Sequence, residues 1–374
     1  MRAPKNERKW ALAVLFPSMV FIFIFVYAFV GNTAYDSLTD WGKSMSLAEN
    51  PETTFIGFDN YQELFTAGYW DIFRQSIVNA IFYWIFILSL SLLVGFGLAV
   101  LLDHNPRGEN VYRTIFLYPF ALSFIVTGTI WRWLCLPNGG INLLPTFLGL
   151  PKLPFEWMSD RTSVLQFDWS SLPLVIAIVC LAVFLFLFIR SLRNKDRKKA
   201  TIHGAISGVL LLYAGLIFWI TPPILDYEEM HGLNLATFGV ILAAVWQYSG
   251  YAMALYLAGL RGLPEGLYEA AKLDGASDFT YYVKIALPNL WPITLSAVIV
   301  LTHISLKIFA LIFAMAGIDN SGPTHPAVLL YSESFRGNNF AIGSAIAMVL
   351  FVLASLFIIP YLIHLYRQRK GVTS

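Results

Sequence analysis

What most constrains this chain is a succession of apolar runs, each long enough to cross a lipid bilayer. They are Trp10–Val30, Ile77–Leu102, Ile115–Leu134, Leu172–Ile189, Gly204–Pro222, Ala236–Leu260, Trp291–Ala316 and Ala341–Leu365. A helical span needs about 20 mostly apolar residues. Hydrocarbon offers no partner to a backbone amide, so such runs must satisfy their own hydrogen bonds as helices. The whole chain agrees: of its 374 residues 57% are hydrophobic and only 13% charged, against about 25% charged in soluble domains. The expected fold is therefore all-α, a polytopic transmembrane helical bundle of about eight spans. The first run follows Arg2, Lys5, Arg8 and Lys9. It exceeds the roughly 7–15 residues of a signal-peptide core, and no small-residue cleavage site follows, so it reads as a retained span. Two cysteines, Cys135 and Cys180, make neither a disulfide framework nor a metal cluster. A net charge of +2 gives no case for nucleic acid.

Lys and Arg collect on the cytoplasmic side of membrane proteins. With the N-terminus inside and the spans alternating, four basic residues fall in the N-terminal segment and two in Asp103–Arg113. Six more fall in Arg190–Lys199, three in Arg261–Lys284 and three in the C-terminal segment, 18 of the chain's 25. Both termini are then cytoplasmic, and the acidic run Asp226-Tyr227-Glu228-Glu229 is external.

Between the sixth and seventh runs lies the polar stretch Pro264–Pro288, PEGLYEAAKLDGASDFTYYVKIALP. Pro264 suits the first turn of a helix, and Glu265 and Glu269 follow near its positive end. Gly275 can take φ > 0 and stop that helix, Ser277 can cap a second one, and Pro288 breaks it before the next span. The expected unit is a short helix–turn–helix at the membrane surface, with Leu267, Ala270 and Ala271 as a low apolar face for a partner's groove.

Glu269-Ala270-Ala271, Gly275 beyond it and Ile285-Ala286-Leu287-Pro288 after a spacer match the EAA signature of ABC importer permeases. Leu267-Tyr268 and Asp274-Gly275-Ala276 resemble its carbohydrate-uptake branch, the maltose and glycerol-phosphate type. The resemblance implies a six-helix importer core in a bacterial or archaeal plasma membrane. Glu269, Ala270, Ala271, Asp274, Gly275, Ile285, Leu287 and Pro288 would then couple it to an ATPase. It also implies partners: two ATP-binding cassette subunits holding ATP and Mg, a second homologous permease and an extracytoplasmic sugar-binding protein. This chain has no phosphate-binding loop Gly-x4-Gly-Lys-Ser/Thr, no catalytic constellation and no metal motif, so hydrolysis belongs to the partner.

Phe55-Ile-Gly-Phe-Asp-Asn-Tyr61, Trp131…Gly140-x-Asn142 and Trp157-Met158-Ser159-Asp160 also resemble stretches of sugar permeases. Asp59 and Asn60 equally suit a turn, and Trp131-Arg132-Trp133 an interfacial anchor. Gly95 and Gly97 read as close-packing positions, and Asn79 as a buried contact or an interfacial residue. On this plan the chain divides into four parts. Residues 1–76 are an N-terminal span and external loop, and 77–171 the first part of the core. Residues 172–235 form an inserted helical hairpin, and 236–374 the second part of the core, with the coupling loop at 261–291. The hairpin's basic turn suits positive-inside anchoring or contact with anionic membrane lipid.

The sixth and seventh runs are the most polar of the set. Gln247, Tyr248, Tyr251, Thr302 and Ser305 combine aromatic faces with hydroxyl and amide groups, as a sugar site requires. Helix–helix hydrogen bonding explains each singly. By resemblance Tyr251 and Ser305 match sugar-contact positions. Lys307 must face protein or water, because an ammonium against lipid costs about 2.5–3.5 kcal/mol even on the lenient insertion scale. The chain is expected to be the permease of an ATP-driven, alternating-access sugar importer, a glucoside or oligosaccharide being preferred. The alternatives are an ion-coupled secondary transporter, which would use intramembrane acids, and a polytopic membrane enzyme.

Overall fold

The computed structural model describes residues 5–42, 53–193, 197–220 and 225–371; Arg2, Lys195 and Pro222 of the sequence reading lie outside them. The architecture is a helical bundle with a two-stranded ladder. Helix α1 (Lys5–Ile22) runs through a π segment at Phe23–Ala28 into Phe29–Asp36. There follow α2 (Asp59–Thr66), α3 (Asp71–Asp103), α4 (Glu109–Ala121) and α5 (Phe124–Leu134). Strand β1 (Ser163–Asp168) leads into the hairpin α6 (Leu172–Arg193) and α7 (Arg197–Ile220), and β2 (Met230–Asn234) returns from it. Next come α8 (Leu235–Arg261), α9 (Glu265–Leu273), α10 (Asp278–Asn289) and α11 (Trp291–Ser305). The chain continues through α12 (Ala310–Ala316), α13 (Pro326–Tyr331) and α14 (Phe340–Gly371).

Among the described residues five helices are long and apolar enough to cross a membrane, or seven if each of two bent pairs counts as one span. The apolar part of α14 described as a shorter helix is Phe340–Leu356. Two runs expected to be single helices are broken. The third bends by 101° between α4 and α5, because Leu122 is extended and Ser123 starts a new helix by accepting from the Val126 amide. The seventh stops at Ser305 and restarts at Ala310. Ser305 is back-bonded to the Thr302 carbonyl at 3.1 Å, and such bonds compete with the helical ladder. Periodicity and hydropathy do not register either break.

The core forms where α3 and α8 cross. Tyr83 and Ile87 of α3 pack with Val240, Ile241 and Ala244 of α8, and Leu311, Ile312 and Met315 of α12 close the cluster. Small residues set the spacing: a Cβ on Gly95 would stand 2.5 Å from Ala252 Cβ, and one on Gly250 would overlap the Phe116 carbonyl of α4. Gly97, expected to share this role, has nothing within 4 Å of its Cβ position. Asn79 is a buried contact, donating to the Gly322 and Thr324 carbonyls at 2.8 Å each.

The ladder pairs Ser163 with Asn234 and Asp168 with Met230, antiparallel, with a bulge between Val164 and Phe167. It closes the base of the α6–α7 hairpin, whose helices pack chiefly on one another. Beside it lies a buried ion cluster. Arg74, fully buried, gives its Nε to Glu229 Oε1 at 2.6 Å, its Nη2 to Glu229 Oε2, and its Nη1 to the Ala67 carbonyl at 2.9 Å. His231 Nε2 faces Glu229 Oε1 at 2.6 Å, and the Glu229 amide donates to Asp168 Oδ1. The cluster ties the entry of α3 to both strands. Burial would raise the Glu229 pKa, but the bonds from Arg74, with His231, hold it below the ordinary glutamate value.

Candidate functional site

Two sites emerge, one at the end of α3 remote from the ion cluster and one within the bundle. The first is the α9–α10 unit. Pro264 is the residue just before α9, with ψ at 131°, rather than inside its first turn. The helix ends in a Schellman arrangement: the Ala276 amide bonds the Ala271 carbonyl at 2.9 Å and the Gly275 amide the Lys272 carbonyl at 3.0 Å. Gly275 sits at φ +79° with nothing within 4 Å of its Cβ position, so conformation and not space demands glycine. Ser277 caps α10 by accepting from the Thr280 amide. Tyr268 and Lys272 of α9 both bond Asp278 Oδ1, at 2.9 and 2.7 Å. That pairing, Lys272 first, holds the Asp278 carboxyl below its usual range.

Helix α10 ends at Asn289, one residue past Pro288, and the chain bends by 73° into α11, the break that the sequence reading places at Pro288. Its segment Tyr281–Ala286 is π-helical, and the Asn289 side chain caps the Ile285 carbonyl at 2.7 Å. Of the coupling residues, Glu269, Ala270, Asp274, Gly275 and Pro288 are exposed, whereas Ile285 and Leu287 are half-buried. Ala271 is buried among Tyr281, Tyr282 and Ala286. The outward apolar surface is thus carried by Ala270, Leu273 (89% exposed) and Phe279 (76% exposed), not by Ala271. Hydropathy could not distinguish the two faces of so short a helix. The unit is fastened to the bundle where Tyr282 donates to Asp103 Oδ2 at 2.8 Å, and beside it Arg261 at the end of α8 pairs with Glu109 at the start of α4 at 2.8 Å. The Arg261 bond lowers the Glu109 pKa. A cavity of about 480 Å³, lined by Asp103, Arg261, Tyr268 and Glu269 among others, opens between α9 and the end of α3.

The second site lies where both broken helices meet α8. A cavity of about 320 Å³ is lined by Phe124 at the start of α5, Tyr248 of α8, His303 of α11 and Lys307 to Leu311 across the second break. Irregular backbone at membrane depth is tolerated where it is buried in protein or lines a cavity. Tyr248 is 2% exposed, and its hydroxyl has no hydrogen-bond partner among the described residues. Lys307 Nζ lies 3.4 Å from His303 Nε2, and both residues are among those that line the cavity.

The other site residues proposed from sequence are placed around this cavity rather than in it. Gln247 donates to the Leu122 carbonyl at 2.9 Å, occupying the acceptor freed by the α4–α5 break. Tyr251 stacks on Phe120 of α4, centroids 5.1 Å apart. Thr302 Oγ1 accepts from Trp84 Nε1 at 3.0 Å, and Ser305 is fully buried in its own helix. Only Tyr248 of the five is among the cavity's lining residues. Phe124 was missed by the sequence reading; its one signal there is Ser123, a capping residue inside an apolar run.

Comparison with known proteins gives concordant results. Residues 206–372 match the family described as binding-protein-dependent transport system inner membrane component. A probable ABC transporter permease of Pyrococcus horikoshii is 32% identical over 96% of this chain and 97% of its own length. A xylose/arabinose import permease of Haloferax volcanii is 27% identical, covering 91% and 84%. The trehalose/maltose permease of Thermococcus litoralis is 24% identical, covering 96% and 94%. The crystal structure of a bacterial alginate ABC transporter has the same fold, with a TM-score of 0.58 at 18% identity over 97% of this chain and 96% of that one. With the surface helix pair, the broken spans and a relative matching end to end, the chain belongs to the multi-pass ABC transporter permeases of binding-protein-dependent transport systems.

Proposed function

We propose that this permease carries a neutral sugar through the membrane of a binding-protein-dependent importer, driven by ATP hydrolysed on partner subunits. The observation that carries the reading is the cavity at the two helix breaks, with Tyr248 among its lining residues and the buried Tyr248 hydroxyl without a partner among the described residues. A buried hydroxyl without a partner costs about 1–3 kcal/mol, and a sugar hydroxyl arriving there would recover it. Phe124 and Phe309 supply flat apolar faces for the ring. Discontinuous helices are where membrane transporters characteristically place their sites. The relatives named for xylose/arabinose and trehalose/maltose support a neutral sugar.

The α9–α10 unit is the entry point for the ATPase stroke. Its outward side offers Ala270, Leu273 and Phe279 to a groove, and the Tyr282–Asp103 and Arg261–Glu109 bonds pass movement to α3, α4 and α8. In this reading both termini and α9–α10 are cytoplasmic, the ladder and ion cluster face the sugar-binding protein, and a second permease completes the pathway in the plasma membrane. Gentle detergent purification from the native membrane tests it. Wild type should bring down an ATP-binding subunit and a second permease, and Glu269→Lys/Gly275→Val should lose the ATPase. Recovery of the chain alone from both preparations would refute the importer reading.

A further inference from the structure

We propose that the turn end of the α6–α7 hairpin is a binding site for the head group of an anionic phospholipid. At that end a cavity of about 610 Å³ is lined by Phe188, Ser191 and Leu192 of α6 and by Arg197, Thr201 and Gly204 of α7, among others. On the α6 side Phe188 and Leu192 give it apolar walls beside Ser191, whose hydroxyl is bonded to His203, and Arg197 is among its lining residues on the α7 side. Arg190 and Arg193 occupy the last turn of α6, and Lys198 follows Arg197 in α7; all four cations are exposed. Gly204 is tight against the Phe188 ring, at 3.0 Å from a built Cβ, so the helices touch just past the cavity and give it a floor.

The depth of the site follows from helix length. The 22 residues of α6 rise about 33 Å, close to the roughly 30 Å of hydrocarbon. With the ladder at one interface, Arg193 at the end of α6 reaches the head-group layer of the other. Between the two ends the exposed surface of the hairpin's described residues is largely apolar: Phe186, Val209 and Leu212 are each more than 60% exposed. A basic pocket between spans, opening onto such walls, has the chemistry of anionic head-group sites. The recognised group is a phosphate ester, and the apolar walls for acyl chains assign it to a lipid rather than to free phosphate. The site is independent of the transported sugar.

The test is native mass spectrometry of the purified full chain with equal amounts of phosphatidylglycerol and phosphatidylcholine of matched acyl chains. Wild type should retain phosphatidylglycerol selectively, by roughly five-fold for each cation in contact. Arg190→Gln/Arg193→Gln/Arg197→Gln/Lys198→Gln should lose the preference. Thr201→Trp keeps every charge but fills the cavity, and should lose it too. Retention of both lipids equally by wild type would overturn the site, as would full selectivity in Thr201→Trp, which would reduce the effect to surface charge. Displacement of the lipid by an equal concentration of inorganic phosphate would overturn its assignment to a lipid.

Discussion

Replacing Glu229 by glutamine removes the negative charge from a cluster that otherwise holds Arg74 without access to water. In the native arrangement Arg74 is fully buried, and two of its nitrogens are bonded to Glu229. Arg74 would keep as acceptors the carbonyls of Leu64 and Ala67, at 3.3 and 2.9 Å, and the Tyr227 hydroxyl, at 3.3 Å, but these bring no compensating charge. Breaking a buried pair by removing one partner costs about 3–5 kcal/mol, which corresponds to a fall in Tm on the order of 5–10 °C. Trp169 stands edge-on to His231, ring centroids 5.6 Å apart, so tryptophan fluorescence in detergent reports on the cluster. The double variant Arg74→Gln/Glu229→Gln should lose less than the sum of the single changes, because both charges then leave together. The same experiment has a pH arm. Glu229 titrates lower when folded than when unfolded, so its contribution is complete above the unfolded value of about 4.3 and is lost as the pH falls through the folded value. Acid should lower Tm in wild type below about pH 4.5, and Glu229→Gln should flatten that decline. A Tm within about 1 °C of wild type, or strict additivity, would show that Arg74 is stabilised by something other than this charge.

Gly275→Val should fold and insert, since its Cβ enters open space, but strain of about 1–3 kcal/mol at φ +79° should distort the α9–α10 turn and abolish uptake. Gly275→Asn, which tolerates that φ, should retain part of the transport. Tyr248→Phe should leave Tm at or above wild type, because no hydrogen bond is lost, while sugar-dependent uptake falls; unchanged uptake would move the site elsewhere. Gly250→Leu should destabilise the bundle by about 1–3 kcal/mol or more by driving α4 from α8, measured by thermal unfolding. Lys272→Ala should leave Tm close to wild type in thermal unfolding, because its pair with Asp278 is solvent-exposed and such pairs contribute little.

The sequence by itself determined that the chain is a helical membrane bundle, because a run of some 20 apolar residues admits few other solutions in lipid. It also determined the α9–α10 turn, since Gly275 and Ser277 act through backbone conformation and capping within a few residues. Tertiary structure alone decided the rest. Hydropathy reports that a run is apolar and is silent on whether its axis continues; the breaks at Leu122 and Leu306–Phe309 carry only the local marks of Ser123 and Ser305, and the cavity where they meet α8 exists only in the folded bundle. The same holds for polar residues within spans. Gln247, Thr302 and Ser305 are polar residues within spans just as Tyr248 is, and only their neighbours show that each makes a hydrogen bond while the Tyr248 hydroxyl makes none. The Arg74–Glu229 pair joins residues far apart along the chain and carries no local signal at all. Local conformation is written in adjacent residues; partners across the bundle are fixed only when helices dock.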